Sequence, residues 1–360
     1  MPDAHVEFRN VSKTFDGETY VAQDINLQVP RGEFLTLLGP SGSGKTTCLM
    51  MLAGFEAPSS GEILVDGVPV HDTPPHRRAY GIVFQNYALF PHMSVEKNLA
   101  FPLQVRGVEK ARQQEQVARV LELVQLQGFG ARRPTQLSGG QQQRIAIARA
   151  LVYEPELVLM DEPLGALDRQ LREEMQYEIR RIQDAVGVTM LYVTHDQGEA
   201  MVMSDRIAVF EAGRIKQLAA PITLYEEPND PFVASFIGEN NRLAGVVQTV
   251  EDDICIVDVK GHTVHAAQVS KTTQAGDDVL VVLRPERISV QPRNHDYSNV
   301  HRAKVVDLTF VGDHLRVLLH ACGNESLIAK IPNTAGHGSV LEGDHINIGW
   351  ATLDCRAIPI

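Results

Sequence analysis

The chain is poor in cysteine, which occurs only four times in 360 residues. Cys48, Cys255, Cys322 and Cys355 lie far apart and form no C-x-x-C pair. Neither a disulfide framework nor a thiolate metal site is therefore indicated. This pattern fits a reducing, cytosolic environment.

Long hydrophobic runs are also missing from the sequence. No apolar stretch approaches the roughly 20 residues that a helix needs to span a bilayer. No charged segment followed by an apolar one precedes the first strand-like stretch. We therefore expect a soluble chain, so that any role in membrane transport requires partners that lie in the membrane.

Positive charge is scarcer than negative charge: 33 Lys and Arg stand against 45 Asp and Glu, and the formal net charge is −12. Nonspecific binding to nucleic acid depends on basic surfaces that neutralise phosphates. We therefore expect no nucleic-acid partner, although the net charge says nothing about a local basic patch.

The first of two regions extends to about Phe236 and alternates short apolar runs with helical patterns. This alternation is typical of parallel strands covered by helices. Phe34 to Leu38, Leu157 to Met160 and Met190 to Val193 are nearly continuous in apolar residues, as expected for strands buried on both faces. The first region is therefore predicted to have an α/β fold.

The second region follows Gly238 and contains short β-branched runs such as Ile254 to Val259 and Val279 to Leu283. Turn residues separate these runs, which predicts strands joined by tight connections. We expect a small all-β domain, a barrel of the oligonucleotide/oligosaccharide-binding (OB) type. The predicted domains are residues 1–237 and 238–360.

A phosphate-binding motif, G-x-x-x-x-G-K-[ST], follows the apolar run that ends at Leu38. Its glycines allow backbone N–H groups and a helix N-terminus to face phosphates, while Lys45 adds a positive charge and the Thr46 hydroxyl can bind Mg²⁺. A glycine-rich turn that matches by chance is the alternative, which the strand-loop-helix context disfavours. The candidate nucleotide-binding residues are Gly39, Pro40, Ser41, Gly42, Ser43, Gly44, Lys45, Thr46 and Thr47.

Two adjacent carboxylates, Asp161 and Glu162, follow the apolar run Leu157 to Met160. Asp161 can hold Mg²⁺ directly or through water, and Glu162 can polarise a water for in-line attack on a γ-phosphate. Carboxylate pairs after strands are common in ordinary loops. The phosphate-binding motif in the same chain favours the functional interpretation.

A third motif, Leu137-Ser138-Gly139-Gly140-Gln141, stands before a predicted helix. Ser138 and Gln141 have the spacing of a capping box, and the helix N-terminus with its glycine N–H groups can face an anion. On physical grounds alone, a well-capped helix without a ligand is an equally good interpretation.

In combination, the motifs resemble those of ABC ATPases, because Leu137 to Gln141 is similar to the family's signature sequence. Gln85 matches the family's Q-loop, Gly165 to Asp168 its D-loop and Thr194 to Asp196 its H-loop. The resemblance covers about Val6 to Phe236. It implies an α/β P-loop ATPase domain with a helical subdomain, followed by the all-β (OB-like) domain.

The resemblance implies that two identical chains sandwich two ATP molecules, each held by the P-loop of one copy and by Ser138, Gly139, Gly140 and Gln141 of the other. ATP and Mg²⁺ are the implied cofactors. The implied catalytic residues are Glu162, His195 and Gln85, and the implied metal ligands are Thr46, Gln85 and Asp161.

Three further roles follow from the family position, each beside an ordinary alternative. Phe15 resembles the aromatic residue that stacks on adenine, with Tyr20 as a substitute, although Phe15 would otherwise be counted as core. Asp168 would lie at the dimer seam, where an exposed aspartate is the ordinary expectation. His195 would contact the γ-phosphate, although a strand-end histidine without a catalytic role is more common.

The second region and the Q-loop point to an importer. Leu283 to Glu286 and Val306 to Gly312 resemble the regulatory domain of ATPases for sugar, polyamine, ferric-ion and sulfate uptake, and Gly81 to Met93 looks closest to spermidine/putrescine importers. This implies two transmembrane permease subunits, an indirect solute-binding protein partner and a place on the cytoplasmic face of the bacterial cell membrane. Tyr87 to Met93 is either core or part of a groove for a permease helix.

Four other functions remain as alternatives. A non-transport ABC ATPase usually has two motif sets or a coiled-coil insertion, and an exporter usually lacks the β region. A nucleotide-gated regulator would not need Glu162 and His195, and a small-molecule kinase would not need the signature. One departure from the family is Gly198, which replaces a bulkier residue and predicts a looser helix.

Overall fold

The computed structural model describes residues 4–292, 297–333 and 340–360. The chain divides into two compact units, Met1–Pro221 and Ile222–Ile360. Residues 222–237, which the predicted boundary places in the first domain, thus fall in the second unit.

The first unit is built from strands and helices in alternation. Its strands are β1 (Ala4–Thr14), β2 (Tyr20–Pro30), β3 (Phe34–Leu38), β4 (Ser60–Val65), β5 (Val68–Pro69), β6 (Gly81–Val83), β7 (Leu157–Asp161), β8 (Thr189–Thr194), β9 (Arg206–Glu211) and β10 (Arg214–Ala219). Its α-helices are α1 (Lys45–Ala53), α2 (Val95–Val105), α3 (Lys110–Leu123), α4 (Gly139–Leu151), α5 (Arg169–Val186) and α6 (Gln197–Met203).

Two sheets organise this unit. One has four strands in the order β2-β1-β4-β5. The other has six strands in the order β10-β9-β3-β8-β7-β6, in which only the β10–β9 pair is antiparallel. The α/β prediction is confirmed, and the three apolar runs expected to be buried strands are β3, β7 and β8.

The parallel strands are apolar because both of their faces are covered. Phe34 and Tyr192 point into a core shared with helices α2 to α5, whereas Leu35 and Leu191 point into a second core shared with α1 and the four-stranded sheet. Successive side chains of a strand alternate between faces, so each strand contributes to both cores.

The strand order brings several loops together at one edge of the six-stranded sheet. Leu38 at the end of β3 pairs with Thr194 at the end of β8, and Val193 pairs with Asp161 at the end of β7. The last residue of β6, Val83, lies beside Met160 of β7. The loops that follow these four strands therefore start side by side, where open α/β sheets bind their ligands.

The second unit is largely β-structure. Its strands are β11 (Asn241–Glu251), β12 (Ile254–Val259), β13 (His262–Gln268), β14 (Asp278–Leu283), β15 (Ser289–Val290), β16 (Asn299–Phe310), β17 (His314–Ala321), β18 (Asn324–Pro332), β19 (His345–Trp350) and β20 (Cys355–Pro359). The helices α7 (Pro221–Glu226) and α8 (Pro231–Phe236) precede them. A closed barrel has the order β11-β12-β13-β20-β14, and a five-stranded sheet has the order β15-β19-β16-β17-β18.

The predicted all-β barrel is confirmed, while the additional five-stranded sheet and the two helices were not expected. Helix α8 belongs with this unit because Ala234 is buried against Val282 and Ile358 of the barrel strands. The buried Arg284 guanidinium also donates hydrogen bonds to the carbonyl oxygens of Tyr225 and Ile237, each at 2.6 Å.

Across the described ranges, none of the helices is both long and apolar enough to cross a bilayer.

Candidate active site

The phosphate-binding motif forms the loop between β3 and α1. Gly44 is the N-cap of α1 and has a left-handed backbone with φ of 99°. A Cβ atom at Gly44 would collide with the carbonyl oxygen of Val21, and one at Gly39 would collide with that of Phe210. Only glycine fits at both positions, so the loop can wrap closely and aim the N-terminus of α1 into its concave side.

Lys45, the first residue of α1, folds back across this loop. Its ammonium donates hydrogen bonds to the carbonyl oxygens of Gly39 and Pro40, both at 2.8 Å. Burial lowers the pKa of Lys45, and the nearby carboxylates of Glu162 and Asp161 oppose that shift. The loop therefore holds a desolvated cation whose hydrogen-bond partners are neutral oxygens, two carbonyls and the Ser43 hydroxyl, and phosphate oxygens can replace them.

Thr46 and Asp161 meet between α1 and the end of β7. The Thr46 hydroxyl donates a hydrogen bond to Asp161 Oδ1 at 2.9 Å. Burial raises the pKa of Asp161, while the Thr46 hydrogen bond lowers it. A hydroxyl and a carboxylate that converge in this way are the hard oxygen donors that Mg²⁺ prefers, so both residues fit the predicted metal site.

Glu162 and His195 lie together at the ends of β7 and β8. His195 Nδ1 lies 3.2 Å from Glu162 Oε1, and the two side chains are 55% and 22% exposed. Glu162 has a left-handed backbone with φ of 43°, and its N–H donates to the Val193 carbonyl at 3.0 Å. Such strain costs about 1–3 kcal/mol and is typical of functional positions.

Gln85 lies in the loop after β6 and is exposed. A Cβ atom added at Gly165 would lie 3.8 Å from Gln85 Nε2, so this amide borders the D-loop segment. Asp168 ends that segment, where its carboxylate caps α5 by accepting a hydrogen bond from Leu171 N at 3.0 Å. The exposed position of Asp168 agrees with the ordinary expectation for an aspartate and leaves it accessible to a second chain.

The capping box predicted at Ser138 is present. Ser138 Oγ accepts a hydrogen bond from Gln141 N at 3.4 Å, and Gln141 Oε1 accepts one from Ser138 N at 3.1 Å. The glycines are packed closely, since a Cβ atom at Gly140 would lie 2.8 Å from Leu171 Cδ1. In the described part of the chain, no hydrogen bond or ion pair joins Ser138–Gln141 to the phosphate loop.

Phe15 follows β1 and is 65% exposed, which rules out the alternative that it belongs to the core. The Lys13 ammonium lies 4.7 Å from the centre of its ring. Asp16 accepts hydrogen bonds from the N–H groups of Glu18 and Thr19, so the turn that presents Phe15 is well defined. Tyr20, the substitute, is 46% exposed at the start of β2.

A buried network behind His195 was not anticipated from the sequence. Glu199 is 3% exposed and accepts hydrogen bonds from the Tyr192 hydroxyl at 2.7 Å and from Thr194 Oγ1 at 2.6 Å. Burial raises the pKa of Glu199 and of Tyr192. The sequence feature that could have indicated this network is the acidic residue Glu199, which stands beside Ala200 on the buried face of α6.

Gly198 is the second residue of α6, which Asp196 caps by accepting a hydrogen bond from Glu199 N at 3.1 Å. The expectation of a looser helix assumed an interior glycine, whereas the first turn of a helix has no intrahelical donor bonds to lose. Gly198 instead borders a cleft of about 530 Å³ between α5 and α6.

Arg149 is a second residue that the sequence analysis missed. From α4 it donates hydrogen bonds to the carbonyl oxygens of Ala88 at 2.7 Å and of Tyr87 at 2.9 Å. Tyr87 and Ala88 follow Gln85 and both have left-handed backbones, with φ of 61° and 48°. Arg149 therefore fixes a strained conformation of the Q-loop to the helix that Ser138 caps.

Comparison with known proteins decides the family. The protein-family model described as "ABC transporter" matches residues 22–165, and the one described as "TOBE domain" matches residues 281–358. A Pseudomonas aeruginosa protein named spermidine/putrescine import ATP-binding protein PotA 2 is 46% identical over 349 residues, covering 96% of each chain. The chain belongs to the ATP-binding proteins of ABC transporters. It is an ABC ATPase and binds ATP.

Other relatives agree with this assignment. The spermidine/putrescine import ATP-binding protein PotA of Rubrobacter xylanophilus is 43% identical, covering 97% of this chain and 92% of its own. The ATP-binding cassette MJ0796, solved as a dimer in a post-hydrolysis state with ADP and Pi, is 32% identical with a TM-score of 0.53 and covers 60% of this chain and 98% of its own. The cbiO1 protein of Clostridium perfringens is 28% identical with a TM-score of 0.59, covering 62% and 92%.

We predict that Arg149→Gln releases the strained Q-loop. Because the substitution removes two charged hydrogen bonds, the amides of Tyr87 and Ala88 should exchange with solvent about 10-fold faster, which corresponds to about 1.4 kcal/mol. Hydrogen exchange followed by mass spectrometry measures this change.

The matched control for this prediction is Arg144→Gln on the same helix. Arg144 also donates to a carbonyl oxygen, that of Val124 at 3.3 Å, but does not touch the Q-loop. Equal exchange rates of the Q-loop amides in the two variants would contradict the role given to Arg149.

Proposed function

We propose that the chain is the ATPase subunit of an ABC importer that takes up polyamines such as spermidine and putrescine. The observation that carries this proposal is the extent of the similarity to the spermidine/putrescine import ATP-binding proteins. It spans 96% of this chain in the Pseudomonas aeruginosa relative and so includes the β unit as well as the ATPase. If the similarity covered only the ATPase domain, it would indicate ATP hydrolysis but no particular solute.

The proposed ATP site is the loop Gly39–Thr47 at the N-terminus of α1. The backbone N–H groups and Lys45 bind the phosphates, and exposed Phe15 stacks on adenine. Thr46, Asp161 and Gln85 would hold Mg²⁺, which when bound neutralises charge on the phosphate oxygens. The 2.9 Å contact between Thr46 and Asp161 supports this set of ligands.

Glu162 is the proposed general base. Its carboxylate accepts a proton as a water attacks the γ-phosphate in line, and ATP and water become ADP and phosphate. His195 lies 3.2 Å from this carboxylate and holds the attack geometry. The backbone of Glu162 is strained, with φ of 43°. Because such strain lowers stability and is found mostly at functional sites, it supports a catalytic role for Glu162.

We further propose that the working ATPase is a homodimer. Ser138, Gly139, Gly140 and Gln141 bind the γ-phosphate of the ATP held by the partner, and Asp168 lies at the seam. Two features support this: the capped N-terminus of α4 has no bond to its own phosphate loop among the described residues, and the similar cassette MJ0796 is dimeric.

The proposed partners are two transmembrane permease subunits and, through them, a solute-binding protein, with the ATPase on the cytoplasmic face of the bacterial cell membrane. The segment Tyr87–Met93 is the proposed permease groove. Tyr87 is buried, while Phe90 is partly exposed and packs edge-on against Phe101 at 4.9 Å. A strained, partly apolar segment beside Gln85 can report the nucleotide state to a permease helix. We propose that the ATPase function belongs to residues 1–237 and the regulatory function to residues 238–360, with residues 222–237 packed in the second compact unit.

Glu162→Gln should bind ATP normally and hydrolyse it about 10²–10⁴-fold more slowly, because the amide cannot accept the proton. Steady-state phosphate release and equilibrium binding of labelled ATP measure the two effects. The control is Glu154→Gln, which removes an exposed carboxylate paired with Arg119 and should leave turnover unchanged. Near-normal turnover of Glu162→Gln would place the base elsewhere.

The transport proposal is tested with the chain assembled with its permease subunits in lipid vesicles. A solute-binding protein loaded with spermidine or putrescine should stimulate ATP hydrolysis, whereas the empty binding protein should stimulate it less. Stimulation by sugar, sulfate or ferric ion in place of polyamines would retain the importer and refute the solute. No stimulation by any loaded binding protein would refute the importer.

A further inference from the structure

Arg172 of α5 connects two loops that the proposed function uses separately. One guanidinium nitrogen, Nη1, donates a hydrogen bond at 3.0 Å to Oδ2 of Asp196, the residue directly after His195. The other terminal nitrogen, Nη2, donates a hydrogen bond at 3.3 Å to the carbonyl oxygen of Leu167, the residue directly before Asp168. A single planar cation thus binds the D-loop and the H-loop at once.

The guanidinium of Arg172 also faces the buried carboxylate of Glu199, which belongs to the network next to His195. Arg172 Nε lies 3.7 Å from Glu199 Oε1, which is too far for a hydrogen bond, and this Nε has no hydrogen-bond partner among the described residues. Glu199 accepts one hydrogen bond from the hydroxyl of Thr194, the residue that precedes His195 in the sequence. A small approach of α6 to α5 would bring Glu199 Oε1 within hydrogen-bond distance of Nε and so give Nε a partner.

We propose that Arg172 is a positioning residue that transmits the position of the D-loop to His195. Since the D-loop lies at the proposed dimer seam, closure of the dimer would shift the Leu167 carbonyl, and Arg172 would carry that shift to Asp196 and Glu199. The cleft of about 530 Å³ that Arg172 lines beside Gly198 gives the guanidinium and α6 room to move. This inference rests on the proposed function of the site.

Other charged groups near Arg172 do not replace this connection. Arg169 pairs with Glu173 at 3.0 Å, one turn along the same helix, and both side chains are largely exposed. Gln176 also lines the cleft but carries no charge. Arg172 is therefore the cation that joins the D-loop carbonyl to the buried carboxylate among the described residues.

The first test is Arg172→Gln. Because Arg172 does not touch the phosphate loop, KM for ATP should stay within about 3-fold, while kcat should fall about 10-fold to 100-fold through misplacement of His195. The matched control is Arg180→Gln on the same helix. Arg180 also donates to a carbonyl, that of Met203, and pairs with Asp184 and Asp205, and its exposure of 31% is close to the 29% of Arg172.

A second variant tests whether Arg172 couples the D-loop to His195 or only neutralises the charge of Glu199. Arg172→Gln leaves Glu199 buried without a cation, which can destabilise the fold. The double variant Arg172→Gln/Glu199→Gln removes both charges, should fold, and should keep the low kcat. Recovery of wild-type kcat in the double variant would show that Arg172 only neutralises Glu199 and would overturn the proposal.

Hydrogen exchange on the nucleotide-free chain provides a readout that does not depend on turnover. Arg172→Gln should accelerate exchange about 10-fold in both residues 164–168 and residues 196–200, and Arg180→Gln should accelerate neither. Acceleration in one segment only, or in neither, would overturn the coupling. If the wild-type chain hydrolysed no ATP, the proposed function would fail while the exchange experiment would still decide whether Arg172 joins the two loops.

Discussion

The parallel order of β3, β8, β7 and β6 is the constraint on which the rest of the structure depends. Parallel strands end at the same edge, so four loops that are distant in sequence meet there. Lys45, Asp161 and Glu162 interact at this edge because β3 and β7 both border β8. Burial of every residue of β3 and β8 holds that edge in place.

Three arginines outside the sequence motifs hold helices to backbone carbonyl groups, and two of them, Arg149 and Arg172, reach motif loops. Arg149 fixes the Q-loop to α4, Arg172 joins the D-loop to α6, and Arg180 anchors α5 at Met203. Each donates to a backbone carbonyl, and a guanidinium can do so while also pairing with a carboxylate. The motif residues and these arginines thus form one network, in which Arg149 holds the Q-loop and Arg172 binds the D-loop and the H-loop.

The sequence predicted what depends on neighbouring residues and missed what depends on distant ones. The phosphate loop and the capping box of Ser138 are contiguous, so their geometry follows from local rules. Arg149 and Tyr87 are 62 positions apart and Arg172 and Asp196 are 24 apart, and no spacing rule connects them. The change of pattern at Gly238 was visible, but the packing of Ala234 on Val282, which draws α8 into the second unit, was not.

The central claim is that each ATP site needs a phosphate loop from one copy and Ser138 from the other. Lys45→Ala should inactivate the first element and Ser138→Arg the second, so neither variant should hydrolyse ATP alone. Mixed dimers would contain one intact site, and an equimolar mixture should recover up to about a quarter of the wild-type rate. A mixture as inactive as its components, with subunit exchange verified, would contradict the claim.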